Sequence, residues 1–473
     1  MRRGPSGIDR PQRWQTLRGR TTRTALAIAI PLMMSLSAQA QVFMPSAGDT
    51  SPVNGRLSDR RNMPAPQLPT GTGPMVETIR GALGGNVQDL PDVPLSALSI
   101  MRVQPFPDRP VPKLFWYFSD GLELVVFKQD KPAPLVFVIA GTGSSGESPT
   151  VQILGRLLYA QGMNVVIIPS PSHPQFVVTA SRTFVPGVMQ TDAADLLRVM
   201  QMARAQLSHE IQITNYKLVG FSLGAMHAAF VGELDSREHA FNFSNVVLIN
   251  PPDRLDHSIT LIDSMLQRYT ERDPAAVDRF IRTVFAGFAQ VYAQSPTSDL
   301  SPEVLFGTFA LFQNRFDLLE MLIGLSFRIS VANLAFTSDV MTHSGVFIPA
   351  DARPGIANSL TDVFKVGLDH TLRDYVEGLA LPYLARHPEL VAPAPPGHTL
   401  LEQASLATIG PYLHQTPTIA AITNQDDIIL APGDLKEMKS ILGDRLTVLS
   451  SGGHGGSIGR PDFDAAFNRM IGQ

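Results

Sequence analysis

The sequence predicts an α/β protein: a mostly parallel sheet with helices on both faces, interrupted by a large helical insertion. Short apolar runs at residues 135–140, 164–168 and 243–250 suit buried strands, and helical patterns at 150–161 and 191–207 separate them. A strand at 215–219 runs straight into Gly220-Phe221-Ser222-Leu223-Gly224 and then into a helical stretch from Ala225. The alternation stops at Pro252 and resumes only with strands at 416–423 and 446–449.

Taken in chain order, residues 1–40 hold seven arginines, a short apolar stretch at 25–36 and the triplet Ala38-Gln39-Ala40. That is the layout of an export signal cleaved near Ala40, delivering a periplasmic or secreted chain. The apolar stretch is well short of the roughly 20 residues that span a bilayer. Residues 41–75 are rich in Pro, Ser, Gly, Asn and Asp and read as a linker. The core is expected over 76–251 and 411–473, with a helical cap over 252–410. Residues 113–119 and 122–128, joined at Asp120-Gly121, predict a hairpin. The strand at 135–140 leads into Gly141-Thr142-Gly143-Ser144-Ser145-Gly146. Gly141 and Gly146 have the spacing of a phosphate-binding loop, but Glu147 stands where its lysine must be and would repel phosphate.

The insertion carries 11 of the 25 phenylalanines, among them Phe285, Phe288, Phe306, Phe309, Phe312, Phe316 and Phe327. Some should form its own core, and the excess predicts that others line an apolar cleft. Breaks are expected at Asp273-Pro274, Ser295-Pro296, Ser301-Pro302 and Arg353-Pro354-Gly355. Residues 304–336 do not read as a membrane span, because Asn314, Arg315, Asp317, Glu320 and Arg328 interrupt them.

The chemistry is expected at the turn 220–224. A serine on a sharp strand–turn–helix junction has its hydroxyl exposed above the sheet, and the N–H of Leu223 faces a developing oxyanion. Gly455-Gly456-Ser457-Ile458-Gly459 repeats the pattern but follows a glycine-rich loop rather than a strand, so context selects Ser222 over Ser457. A serine nucleophile needs a base and an orienting acid. The strand at 416–423 runs into Asn424-Gln425-Asp426-Asp427-Ile428-Ile429, and the strand at 446–449, after a helix at 432–442, into Ser451-Gly452-Gly453-His454-Gly455-Gly456. Four glycines around one histidine let its imidazole approach a neighbouring strand end. His227 is expected to pack or cap on the helix after Ser222, and His173 to lie on a solvated loop.

In this chain order the sequence resembles the α/β-hydrolase superfamily, over about residues 113–251 and 411–473. The resemblance implies Ser222 as nucleophile, His454 as base, Asp426 or Asp427 as acid, and the N–H groups of Leu223 and Thr142 as oxyanion donors. The family's acid is commonly followed by one variable residue and then an apolar one, which favours Asp427, though either aspartate fits. The usual His-Gly of the oxyanion loop is Ala140-Gly141 here. The resemblance further implies that the insertion caps the site.

Composition narrows the function. Removing residues 1–40 takes seven of 38 basic and one of 42 acidic residues, leaving 31 and 41, a balance of −10 that offers nucleic acid no basic face. There is no cysteine, hence no disulfide or thiolate metal site, and the 11 histidines lack ligand spacing. No cofactor or metal is expected. The expected function is an exported serine hydrolase acting on carboxylic esters, small-molecule or lipidic, with peripheral membrane or lipid contact. The alternatives are an amidase or peptidase with the same residues, and a catalytically silent hydrolase fold that binds a lipid or a partner.

Overall fold

In the computed structural model, which describes residues 72–84, 90–273, 275, 279–280, 315–348, 369–391 and 400–472, eight strands make one sheet. They are β1 Leu98–Val103, β2 Leu122–Phe127, β3 Ala133–Ile139, β4 Asn164–Ile168, β5 Ile213–Phe221, β6 Asn245–Ile249, β7 Ile419–Asn424 and β8 Leu446–Leu449. Their order across the sheet is β1-β2-β4-β3-β5-β6-β7-β8. β2 runs antiparallel to both β1 and β4, and every other pairing is parallel. This order, with one antiparallel strand and a crossover at β3, is the α/β-hydrolase fold.

β3, β4 and β6 read as nearly continuous apolar runs because both faces are covered there, and alternate residues serve different layers. Leu135, Phe137 and Ile139 of β3, with Val166 and Ile168 of β4, enter one core with Leu196 and Met200 of α4 (Met189–Leu207) and Phe230 of α5 (Leu223–Glu238). Val136 and Val138, with Val165 and Ile167, enter the other core. Its helical partners are Leu154 and Leu158 of α2 (Pro149–Ala160) and Phe463 and Phe467 of α9 (Pro461–Ile471). Three other helices are α1 (Pro74–Ala82), α3 (Pro174–Thr179) and α8 (Asp434–Leu442). α1 opens at Pro74, inside the span read as linker; residues 1–71, with the expected export signal and most of that linker, lie outside the described residues.

The predicted strand at 113–119 is not a strand. Lys113–Phe118 is a 3₁₀ helix that starts after Pro112, and β2 pairs instead with β1, an element the sequence reading did not contain. The reason is tertiary. Phe115 stands at a kink between two 3₁₀ turns (φ −108°, ψ 24°), and it and Phe118 bury against Val178, with Phe336 and Val340 packed alongside. The Phe115 and Phe336 rings meet edge-on at 6.3 Å. Residues on opposite faces of a strand could not both reach that cluster.

Between β6 and β7 the described residues are helical, with α6 (Leu255–Arg272) and α7 (Phe316–Thr342) the long members. α6 ends at the expected Asp273-Pro274 break; the other three breaks lie outside the described residues. Leu318–Thr342 of α7 has the length and composition to cross a membrane, with a mean hydropathy of 1.5 over its most apolar 18 residues; Asn314, Arg315 and Asp317 precede it, while Glu320 and Arg328 lie within it. Slightly more than half of that stretch is buried within the molecule. Its Arg328 lies 3.3 Å from the buried Asp263 of α6, whose carboxyl burial pushes above its ordinary range. Phe327 packs half-buried against the main core. Phe285, Phe288, Phe306, Phe309 and Phe312, and the side chain of Phe316, lie outside what is described.

Candidate active site

The C-terminal ends of β3, β5, β6, β7 and β8 lie along one edge of the sheet, where ligands bind in folds of this kind. Each end delivers part of one cluster. Ser222 stands between β5 and α5 with φ 56° and ψ −126°, a strained conformation for a residue with a Cβ. The glycines on either side make that turn buildable. A Cβ on Gly220 would lie 2.1 Å from the Gly224 carbonyl oxygen, and one on Gly224 would lie 2.3 Å from that of Ile139.

The Ser222 Oγ is 2.8 Å from His454 Nε2, and His454 Nδ1 is 3.0 Å from Asp427 Oδ1. The Asp427 side chain is fully buried, while the His454 ring keeps a small exposed edge. The Phe221 ring lies 5.3 Å from the imidazole, tilted by 34°, and covers one of its faces. The Asp427 carboxylate also accepts from Asn250 Nδ2 at 2.8 Å, Ile429 N–H at 3.2 Å and Thr423 Oγ at 3.3 Å. A carboxylate can only accept at Nδ1, so it fixes that nitrogen as the donor and leaves Nε2 to accept from the serine.

The two adjacent aspartates do different things. Asp427 reaches the imidazole, while Asp426 Oδ1 accepts the Gly453 N–H at 2.9 Å and Asn424 Nδ2 donates to the Gly453 carbonyl at 2.7 Å. Asp426 therefore shapes the histidine loop.

Beside Ser222 sits the loop after β3. Among the described residues, neither the Leu223 nor the Thr142 N–H has a hydrogen-bond partner. The next amide, Gly143, is engaged: it donates to Ser172 Oγ at 2.9 Å, and Ser170 N–H donates to the Ser144 carbonyl at 3.0 Å. The loop after β4 thus props the loop after β3. α7 passes over it, since a Cβ on Gly143 would lie 2.9 Å from that of Ser330.

Other sequence readings resolve here. His173 is buried rather than solvated; its Nδ1 caps α3 by accepting from Gln175 N–H, and burial pushes its pKa down to about 3. His227 packs inside α5, with Nε2 3.4 Å from Asp192. Ser457 is buried in a run of turns with no strand before it. Two residues of the cluster were not foreseen. Asn250, in the left-handed region at φ 47°, holds Asp427, and Thr78 of α1 accepts the His454 backbone N–H at 2.8 Å. The only sequence cue was Asn250 ending a strand before Pro251-Pro252; Thr78 offered none. No group of three or more His, Cys, Asp or Glu among the described residues is arranged to hold a metal ion.

No protein-family model matches the chain, and no curated protein matches its sequence. Solved structures similar to it include one of two fungal esterases from Rhizomucor miehei, at 12% identity over 89% of this chain and 94% of that one, with a TM-score of 0.37. A membrane phospholipase A described as a bacterial virulence factor has 13% identity over 94% and 97%, with a TM-score of 0.35. A thioesterase domain from the curacin biosynthetic pathway has 16% identity over 74% and 95%, with a TM-score of 0.32. The strand order, rather than these distant likenesses, defines the fold.

Proposed function

We propose that this chain is an exported serine hydrolase that cleaves carboxylic esters through an acyl-enzyme. The observation that carries the reading is the continuous relay Ser222 Oγ, His454 Nε2, His454 Nδ1, Asp427 Oδ1, at 2.8 and 3.0 Å. In acylation, Ser222 Oγ attacks the ester carbonyl carbon as its proton passes to His454 Nε2. The carbonyl oxygen takes the negative charge and accepts from the N–H groups of Leu223 and Thr142. Each such donor contributes on the order of 10²–10³ in rate. Collapse breaks the bond to the leaving alkoxide, which takes the proton from Nε2. Water then repeats the sequence, giving its proton to Nε2 and its oxygen to the acyl carbon, and Ser222 leaves protonated. Buried Asp427 holds the tautomer and stabilises the imidazolium throughout.

An apolar acyl group is supported by α7, which crosses the oxyanion loop at Ser330 and carries Phe327 one turn away on the same face. The same apolar helix supports contact with a lipid substrate or membrane surface. Export rests on the arginine-rich leader and Ala38-Gln39-Ala40. The test is hydrolysis of a panel of acyl esters against aminoacyl and peptidyl amides, with Ser222→Ala as control. Ester turnover that vanishes in the variant supports the proposal. Turnover confined to amides would replace ester by amide as the substrate, and no turnover of either would leave a binding protein.

A further inference from the structure

We infer that Thr78 on helix α1 is a positioning residue for the His454 imidazole, a role that rests on the serine-hydrolase reading above. The hydroxyl is used twice. It donates to the Pro74 carbonyl at 2.7 Å, one turn back along α1, and this aims its lone pair outward to accept the His454 backbone N–H at 2.8 Å. The contact joins residues 376 positions apart, directly at the backbone of the candidate base.

The histidine loop packs closely against that side of the helix. It lies on the bare backbone of α1: a Cβ on Gly453 would come 2.2 Å from the Pro74 carbonyl oxygen, and one on Gly456 would come 2.2 Å from that of Glu77. α1 is itself anchored on its other face, where Val76 and Ile79 are buried in a cluster with Leu266 of α6 and Leu325 and Ile329 of α7. Asp426 holds the Gly453 N–H from the strand side and Thr78 holds the His454 N–H from the helix side. The glycines give this loop its reach and also its freedom. Without the second anchor, the imidazole loses the fixed distance to Ser222 Oγ on which proton transfer depends.

Three variants separate positioning from packing. Thr78→Val keeps the shape and loses the hydroxyl, Thr78→Ser keeps the hydroxyl and loses a methyl, and Thr78→Ala serves if the valine variant does not fold. Losing one backbone anchor of about average strength should lower kcat roughly fivefold, with KM within about twofold, in both Val and Ala. Thr78→Ser should restore kcat to within about twofold of wild type. Assays are run with a p-nitrophenyl ester, and each variant's thermal midpoint is recorded. A packing role predicts the reverse, a near-normal valine variant and a poor serine one, and that result overturns the inference. So does a kcat loss in all variants that tracks their thermal midpoints. Wild-type protein that neither turns over ester nor reacts with a fluorophosphonate would overturn the hydrolase reading, and this role with it.

Discussion

Replacing Asp427 by asparagine probes the charge of the relay with little change of shape. An asparagine must place one amide oxygen and one NH2 where the carboxylate has two oxygens. Oδ1 faces both His454 Nδ1 and the backbone N–H of Ile429, a donor that cannot turn away. Oδ2 lies farther from His454 Nδ1, at 3.3 Å, and faces Asn250 Nδ2 and Thr423 Oγ, whose amide and hydroxyl can both rotate. The Asn250 Oδ1 is buried and without a partner among the described residues, so a flipped Asn250 amide can accept from the new NH2. The amide oxygen of Asp427→Asn therefore stays toward His454, and the imidazole keeps its tautomer. What is lost is the charge beside the imidazolium. For charges about 4 Å apart at an effective dielectric of about 20 this is about 4 kcal/mol, a kcat loss on the order of 10³. Asp426→Asn keeps an acceptor for Gly453 N–H and should cost less than about threefold. Steady-state hydrolysis of a p-nitrophenyl ester, with kcat and KM separated, measures both. A larger loss in Asp426→Asn than in Asp427→Asn would refute the division of labour between the aspartates, and an Asp427→Asn variant within tenfold of wild type would refute the charge argument.

Further outcomes follow from the same geometry. Gly224→Ala must displace the Ile139 carbonyl, so it should cost several kcal/mol, read as a large fall in urea midpoint or as insoluble expression; a variant as stable as wild type would mean the turn is looser than described. His173 has a folded pKa of about 3 against an ordinary value near 6.5, so below pH 6.5 the unfolded chain binds a proton that the folded chain refuses. Stability should fall with pH across that window by up to about 1.4 kcal/mol per unit from this group, and His173→Asn, which keeps a cap for Gln175 N–H, should flatten the slope between pH 6.5 and 4. If α7 supplies an acyl surface, kcat/KM should rise by up to roughly fourfold per methylene from acetate upward until the cleft fills, at about 0.8 kcal/mol each; a flat or falling series would restrict the enzyme to small acyl groups.

The parts of the molecule legible in the sequence are those whose physics is local. β3 and β4 announce themselves as apolar runs because both faces of the sheet are buried there, and their observed bounds lie within two residues of the expected ones. The glycines at 220 and 224 mark the tight turn around Ser222 because nothing larger fits there. Residues 113–118 misled because a stretch of Leu, Phe, Trp and Tyr carries strand propensity, while its conformation is set by a pocket made of Val178 and Phe336, far away in the chain. Thr78 had no local signature, and Asn250 only its place at a strand end before Pro251-Pro252: a lone polar residue gains its role from whatever the fold brings opposite it. His173 looked exposed between two prolines, and only the packing of α3 buries it.

The central claim is that Ser222 is a nucleophile activated by His454. The most direct measurement is intact-protein and peptide mass spectrometry after treatment with a fluorophosphonate, on wild type, Ser222→Ala and His454→Ala. The account predicts one stoichiometric adduct mapping to the peptide that contains Ser222, none in Ser222→Ala, and labelling in His454→Ala slowed by a factor on the order of 10⁴ or more. An adduct on Ser457 or any other residue in place of Ser222, or His454→Ala labelling at the wild-type rate, would contradict it.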